Sequence, residues 1–219
     1  MLPFPQLVQY GNEIIPDPYQ VLFSLKNFNS ASDIVDKSGN NITVTNASAI
    51  SVGSDLYGTY MNFNGSNTQW LNFNSPIFNI GTNMEIYFRL SRWGNNLGGQ
   101  YGTAFIDTRP IQTNGNYLVT GYSSHLASPY STNMNVSMNQ ISDSTLKLPS
   151  DNTTPIEITV RCLSTGTYQY VNGTLFNSTP VVINMVNQNY TISKNAYYGS
   201  ANTPFLNARI YQFEIRKLL

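Results

Sequence analysis

From about residue 19 onward, apolar and polar positions alternate in short runs. Val21, Phe23 and Leu25 alternate with Leu22, Ser24 and Lys26, Met61 and Phe63 with Asn62 and Asn64, and Leu71 and Phe73 with Asn72 and Asn74. A period of two, interrupted by Gly, Asn and Ser, is the pattern of half-buried strands joined by turns. The same pattern predicts strands at 85–90, 103–107, 117–121, 133–138, 156–162, 168–172, 189–192 and 208–216. Helical spacing with caps is almost absent. About a dozen short strands fit one antiparallel two-sheet sandwich better than two domains. Turns are written at Ser38-Gly39-Asn40, Asn64-Gly65, Asn114-Gly115 and Asn172-Gly173, where Gly and Asn tolerate positive φ.

Residues 1–18 read differently. Pro3, Pro5, Pro16 and Pro18 favour extended backbone, yet Leu2, Phe4, Leu7, Val8, Ile14 and Ile15 are apolar. A solvated tail has no need of them. The division expected is an extended docking arm over 1–18 and a β-sandwich over 19–219. Leu2, Phe4, Leu7 and Ile14 are its assembly contacts, with docking in cis or in trans both open.

Composition narrows the class. Charged residues are 10% of the 219-residue chain, and Lys+Arg and Asp+Glu balance at 11 each. Asn contributes 29 residues and Ser plus Thr another 42. No basic excess exists to displace counterions, so nucleic acid is not an expected partner. Apolar runs are far shorter than a membrane span requires, and no charged-then-apolar signal segment is expected. One Cys excludes an internal disulfide framework.

The order of strands and turns resembles the concanavalin A-like jelly rolls of the laminin-G-like lectin/glucanase superfamily. The residues that carry it are Gln20-Val-Leu-Phe-Ser-Leu25, Met61-Asn-Phe-Asn-Gly-Ser66, Asn83-Met-Glu-Ile-Tyr-Phe-Arg89, and Ile156-Glu-Ile-Thr-Val-Arg161. To these are added Tyr168-Gln-Tyr-Val-Asn-Gly-Thr-Leu175 and Ala208-Arg-Ile-Tyr-Gln-Phe-Glu-Ile-Arg216, the last resembling a closing strand that returns beside the first, and the resemblance implies a turn at 36–40 followed by a short strand at 42–45. On the 168–172 strand, either Val171 points inward and the tyrosines form an outer platform, or the reverse.

Catalytic chemistry is hard to find. Glucanases of this fold carry a Glu-x-Asp-x-x-Glu pattern on one strand face. The four Glu here are Glu13, Glu85, Glu157 and Glu214, and none has an acid two positions away. The single His, His125, lacks the context of a polysaccharide lyase or a hydrolase triad. The resemblance implies a structural calcium between an early turn, with Asp33 or Asp36 as candidates, and an Asp of the closing strand. Tyr211 stands where that Asp is expected, so neither metal nor cofactor is expected. Cys162 and Trp70 are expected in the core, while Asp107 and Arg109 are expected to share a strand face. Trp93, Asn95 and Asn96, at a strand end, and Tyr168 and Tyr170 are the candidates for glycan or partner contact.

The function expected is therefore non-enzymatic. The chain reads as a structural or adhesive protein of a bacteriophage virion, such as a capsid decoration, fibre or tail component. Its jelly roll is expected to meet glycans or proteins, and its arm to join other virion proteins in an oligomeric assembly. The alternative is a carbohydrate-active enzyme or the polysaccharide-binding module of one.

Overall fold

A computed structural model describes residues 18–94, 103–108, 118–123, 131–136, 139–141, 152–193 and 206–219. The strands of these residues are β1 Tyr19–Lys26, β2 Ser51–Asp55, β3 Gly58–Asn64, β4 Leu71–Phe73, β5 Met84–Gly94, β6 Thr103–Asp107 and β7 Leu118–Ser123. They continue with β8 Ser131–Val136, β9 Asn139–Ile141, β10 Ile156–Leu163, β11 Gly166–Val171, β12 Thr174–Thr179, β13 Tyr190–Ile192 and β14 Asn207–Leu218. They form two antiparallel sheets, a jelly-roll sandwich. The eight-stranded sheet runs β12-β11-β10-β5-β14-β3-β2, with β1 also paired to β14, and the six-stranded sheet runs β4-β13-β6-β7-β8-β9. First and last strands are adjacent, as expected, with Tyr19 opposite Leu218 and Leu25 opposite Phe213.

Alternation explains the layers. On β10, Ile156, Ile158, Val160 and Cys162 are buried while Glu157 is exposed. Rings from both sheets meet between them. Phe23 stacks on Phe73 at 4.4 Å between centroids, and Phe88 meets Phe105 at 6.2 Å. Cys162 lies in this core, and burial pushes its thiol up to about 12. Trp70 departs from expectation. It is half-buried, because the neighbouring Leu71 and Phe73 take the inward positions.

The expected strand at 42–45 reduces to a single bridge between Thr45 and Asn72. The reason is local. The Ile42 amide donates to Asp36 Oδ2 at 3.1 Å rather than to a strand partner. The same loop caps the outer edge of β1. Ser24 N–H donates to Asp36 Oδ1, Lys37 N–H to the Ser24 carbonyl, and Asn40 Nδ2 to the Leu22 carbonyl. An edge whose backbone groups are satisfied this way offers no template for another chain.

β2, β9 and β12 carry no alternation that predicts them. In β2 the Gly53 position is dictated by contact, since a Cβ there would lie 2.6 Å from the Tyr60 ring. The Asn172-Gly173 turn has φ of 48° and 77°, as expected for a two-residue hairpin.

Candidate binding face

The outer face of the eight-stranded sheet collects much of the charge in a charge-poor chain. Met84, Ile86, Phe88 and Leu90 of β5 enter the core, which turns Glu85, Tyr87, Arg89 and Ser91 outward. Strand register then sets side chains in lateral rows. Tyr168 opposes Arg161, Arg161 opposes Glu85, and Glu85 opposes Arg216. One row along, Leu175 opposes Tyr170, then Thr159, Tyr87, Glu214 and Ser24 follow.

The first row is a chain of ion pairs. Arg161 Nε donates to Glu85 at 2.8 Å, and Arg216 Nη1 donates to the other Glu85 oxygen at 2.7 Å. Arg216 Nε donates to Glu214 at 2.9 Å, and Glu214 also accepts from Lys26, Ser24 and Gln212. Glu85 and Glu214 are almost fully buried by the side chains that pair with them. Burial alone would raise the Glu214 carboxyl; Arg216, Gln212 and Lys26 outweigh it and hold the group below its ordinary value. Carboxylates thus do reach one face, from strands far apart in sequence, which spacing along the chain could not reveal. Their partners tie them as ion pairs.

Tyrosines pack on the cations. The Arg216 guanidinium lies 4.2 Å from the centre of Tyr87 and 4.4 Å from that of Tyr19. Burial and Glu157 push the Tyr87 phenol up. Farther along, Asp55 accepts from Arg209 at 2.8 Å and from the Tyr211 hydroxyl at 2.7 Å, and Tyr211 meets Ser91 at 3.0 Å. Tyr211 therefore closes a hydrogen-bonded cluster in the place where the resemblance implied a metal ligand.

The early-turn carboxylates accept hydrogen bonds from the surrounding backbone. Asp36 accepts from the Ser24, Ser38 and Ile42 amides and from Ser38 Oγ. Asp33 accepts from the Asn29 and Ser30 amides. Among the described residues, no group of three His, Cys, Asp or Glu side chains is placed to hold a metal ion.

The structure resolves the orientation of β11. Val171 and Gln169 are buried, so Tyr168 and Tyr170 face outward, each half-buried. Tyr168 donates to Thr165 Oγ1 at 3.2 Å, and Arg161 lies 5.5 Å from the Tyr170 ring centre. Beside Tyr170 on the edge strand, Leu175 is 51% exposed. Trp93 is on β5 toward its Gly94 end. Tyr168 shares its row with Glu85, eight residues back along β5, so about 26 Å of strand separates the two candidates. They cannot share one small ligand. Asn95 and Asn96, the arm residues Leu2, Phe4, Leu7 and Ile14, and His125 and Arg109 lie outside the described residues. Asp107 is buried, along with Thr191 and Val119 in the same row of the six-stranded sheet. Among the described residues no helix is long and apolar enough to cross a membrane.

Sequence reasoning missed Leu175, Arg161, Glu85 and Arg216 as members of this face. The outward parity of residues 85, 161 and 216 was readable; their convergence was not.

No protein-family model matches the chain, and no curated protein matches its sequence. Solved structures do match its fold. Domain 4 of AbnA, an extracellular arabinanase from Geobacillus stearothermophilus determined with arabinotriose, aligns with a TM-score of 0.64 at 10% identity. That alignment covers 91% of this chain and 93% of that one. The binding domain of Paraclostridial Mosquitocidal Protein 1 aligns at 0.63 and 13% identity, over 90% of this chain and 49% of that one. A botulinum neurotoxin type C structure, described for an interaction with two ganglioside molecules, aligns at 0.59 and 17% identity, over 91% and 48%. The chain thus spans nearly all of the arabinanase domain and about half of the toxin chains, and what it shares with them is the jelly-roll fold.

Proposed function

We propose that the chain is a non-catalytic recognition domain that binds glycan through the outer face of its eight-stranded sheet. The observation that carries this reading is that outward-facing, half-buried tyrosines beside an exposed Leu175 adjoin charges already held in ion pairs. Tyr168, Tyr170 and Leu175 are presented outward, while Glu85 and Glu214 are consumed by ion pairs. Tyr combines large contact area with low ordering entropy and a hydroxyl, which suits sugar and protein surfaces. One fold neighbour named as a binding domain and one described for an interaction with gangliosides support this use of the scaffold by analogy. A glycan array probed with the full chain, run beside a reducing-sugar release assay, tests it. Binding without sugar release is expected; release of sugar overturns the non-catalytic reading.

We infer further that the domain is displayed on a bacteriophage particle, as a capsid decoration, fibre or tail component within an oligomeric assembly. Its support is the neutral, amide-rich composition and the proline-punctuated apolar arm. Removal of residues 1–16 is expected to leave a folded sandwich that no longer joins its assembly. A truncated protein that unfolds or aggregates on its own would place the arm in the domain's own core.

A second reading has one specific observation in its favour. The arabinanase domain matches along almost its whole length. On that reading the chain is the polysaccharide-binding module of a carbohydrate-active enzyme. Neighbouring genes for portal, capsid and tail proteins favour the virion, and a neighbouring glycosidase gene favours the module.

A further inference from the structure

Resting on the reading of Tyr168 and Tyr170 as a glycan platform, we propose that the ligand is a neutral oligosaccharide, and that acidic sugars are refused. The platform is apolar rings bordered by hydroxyls. Tyr168 and Tyr170 sit two residues apart on one strand face, so their rings step along β11 by about 6.6 Å. Leu175 extends the apolar floor at the sheet edge. Ser178 opposes Tyr168, and Thr159 opposes Tyr170 from β10. The Thr165 hydroxyl holds the Tyr168 phenol at 3.2 Å, which fixes the ring before a ligand arrives. A pyranose presents one face of C–H groups and a rim of hydroxyls, and these match a ring floor with Ser and Thr at its margin.

The charges decide the class. Arg161, the cation nearest the platform, is bound to Glu85 at 2.8 Å with a side chain 15% exposed. Arg216, next in the row, is divided between Glu85 and Glu214 and is 12% exposed. Lys26 is bound to Glu214. A carboxylate or sulfate on the sugar needs a cation, and drawing Arg161 away would weaken the compensation of a buried Glu85. On the adjoining strand, exposed Glu157 stands opposite Arg89 of β5, so that cation too lies beside an anion. Recognition here rests on stacking and hydroxyl exchange, which salt hardly screens.

The test is direct titration of the full chain with two panels of oligosaccharides. The neutral panel holds arabino-, xylo-, manno- and gluco-oligosaccharides; the acidic panel holds sialylated, uronic and sulfated ones. The expected result is binding to neutral members alone, with less than about a twofold change between low and high salt. Tyr170→Ala is expected to weaken it about tenfold, or ~1.4 kcal/mol, with Tyr170→Phe retaining most of the affinity and certifying the fold. Binding confined to acidic sugars, or falling steeply with salt, overturns this inference and leaves the glycan reading standing. Silence toward both panels overturns the glycan reading itself, and this inference with it.

Discussion

Arg216 and Glu85 meet at 2.7 Å although they are separated by 131 residues in the chain. Their contact lies at the centre of the eight-stranded sheet, on its outer face, where β14 and β5 run side by side. Because Arg216 also holds Glu214, and Glu85 also holds Arg161, the network joins three strands, β14, β5 and β10. Removing the shared cation leaves buried Glu85 with Arg161, and buried Glu214 with Lys26, as the remaining ion-pair partners among the described residues. Arg216→Met should therefore cost about 3–5 kcal/mol in urea unfolding, far above the ~1 kcal/mol of an exposed pair. A loss below that smaller figure would show that the network contributes little to stability.

Acid should reach the same network. The Glu214 carboxyl is held below its ordinary value near 4.5 in the folded chain. A depressed folded value means that its contribution is complete above the ordinary value and is lost as pH falls through the folded one. Stability of the unaltered protein is expected to drop below about pH 4.5. Glu214→Gln should be less stable at neutral pH and show a flatter acid limb. Parallel acid limbs in the two proteins would assign the acid sensitivity to other groups.

The contact of Tyr60 with Gly53 allows a sharper steric test. A methyl at position 53 would fall 2.6 Å from the tyrosine ring. Gly53→Ala should destabilise the sandwich by about 1–3 kcal/mol, as overpacking does. Adding Tyr60→Ala removes the clash, so the two substitutions should couple in a double-mutant cycle of denaturation midpoints. Strict additivity would mean that the ring moves aside freely.

Cys162 is predicted to be silent in the native state. Its thiol is fully buried and pushed up to about 12. Maleimide labelling should proceed only through unfolding, at a rate that follows denaturant concentration. Rapid labelling in buffer would show that the inner face of β10 opens locally.

Much of the architecture was legible because it is encoded locally. Ile156, Ile158, Val160 and Cys162 alternate within one strand, and Asn172-Gly173 supplies the positive φ of its own turn. The closing pair of β1 and β14 follows from two strongly alternating segments. What escaped was either weakly patterned or long-range. β2 holds a glycine that only the Tyr60 ring explains, and β9 and β12 are short edge strands. At 42–45 a carboxylate from Asp36 outcompeted a strand partner for the Ile42 amide. The site was half legible. Tyr168 and Tyr170 could be named from their strand, but Arg161, Glu85, Arg216 and Leu175 join them only through register. Trp93 looked like a companion of these tyrosines, and the length of β5 keeps it away.

We propose the outer face at β11 and β12 as the binding surface. Calorimetric titration of a Tyr168→Ala/Tyr170→Ala double variant, against the oligosaccharide that the unaltered chain binds best, tests it most directly. A loss of affinity of about a hundredfold, some 2.7 kcal/mol, is expected, with an unfolding midpoint close to that of the unaltered protein. Unchanged affinity in a folded double variant would contradict it and move recognition to another surface of the sandwich.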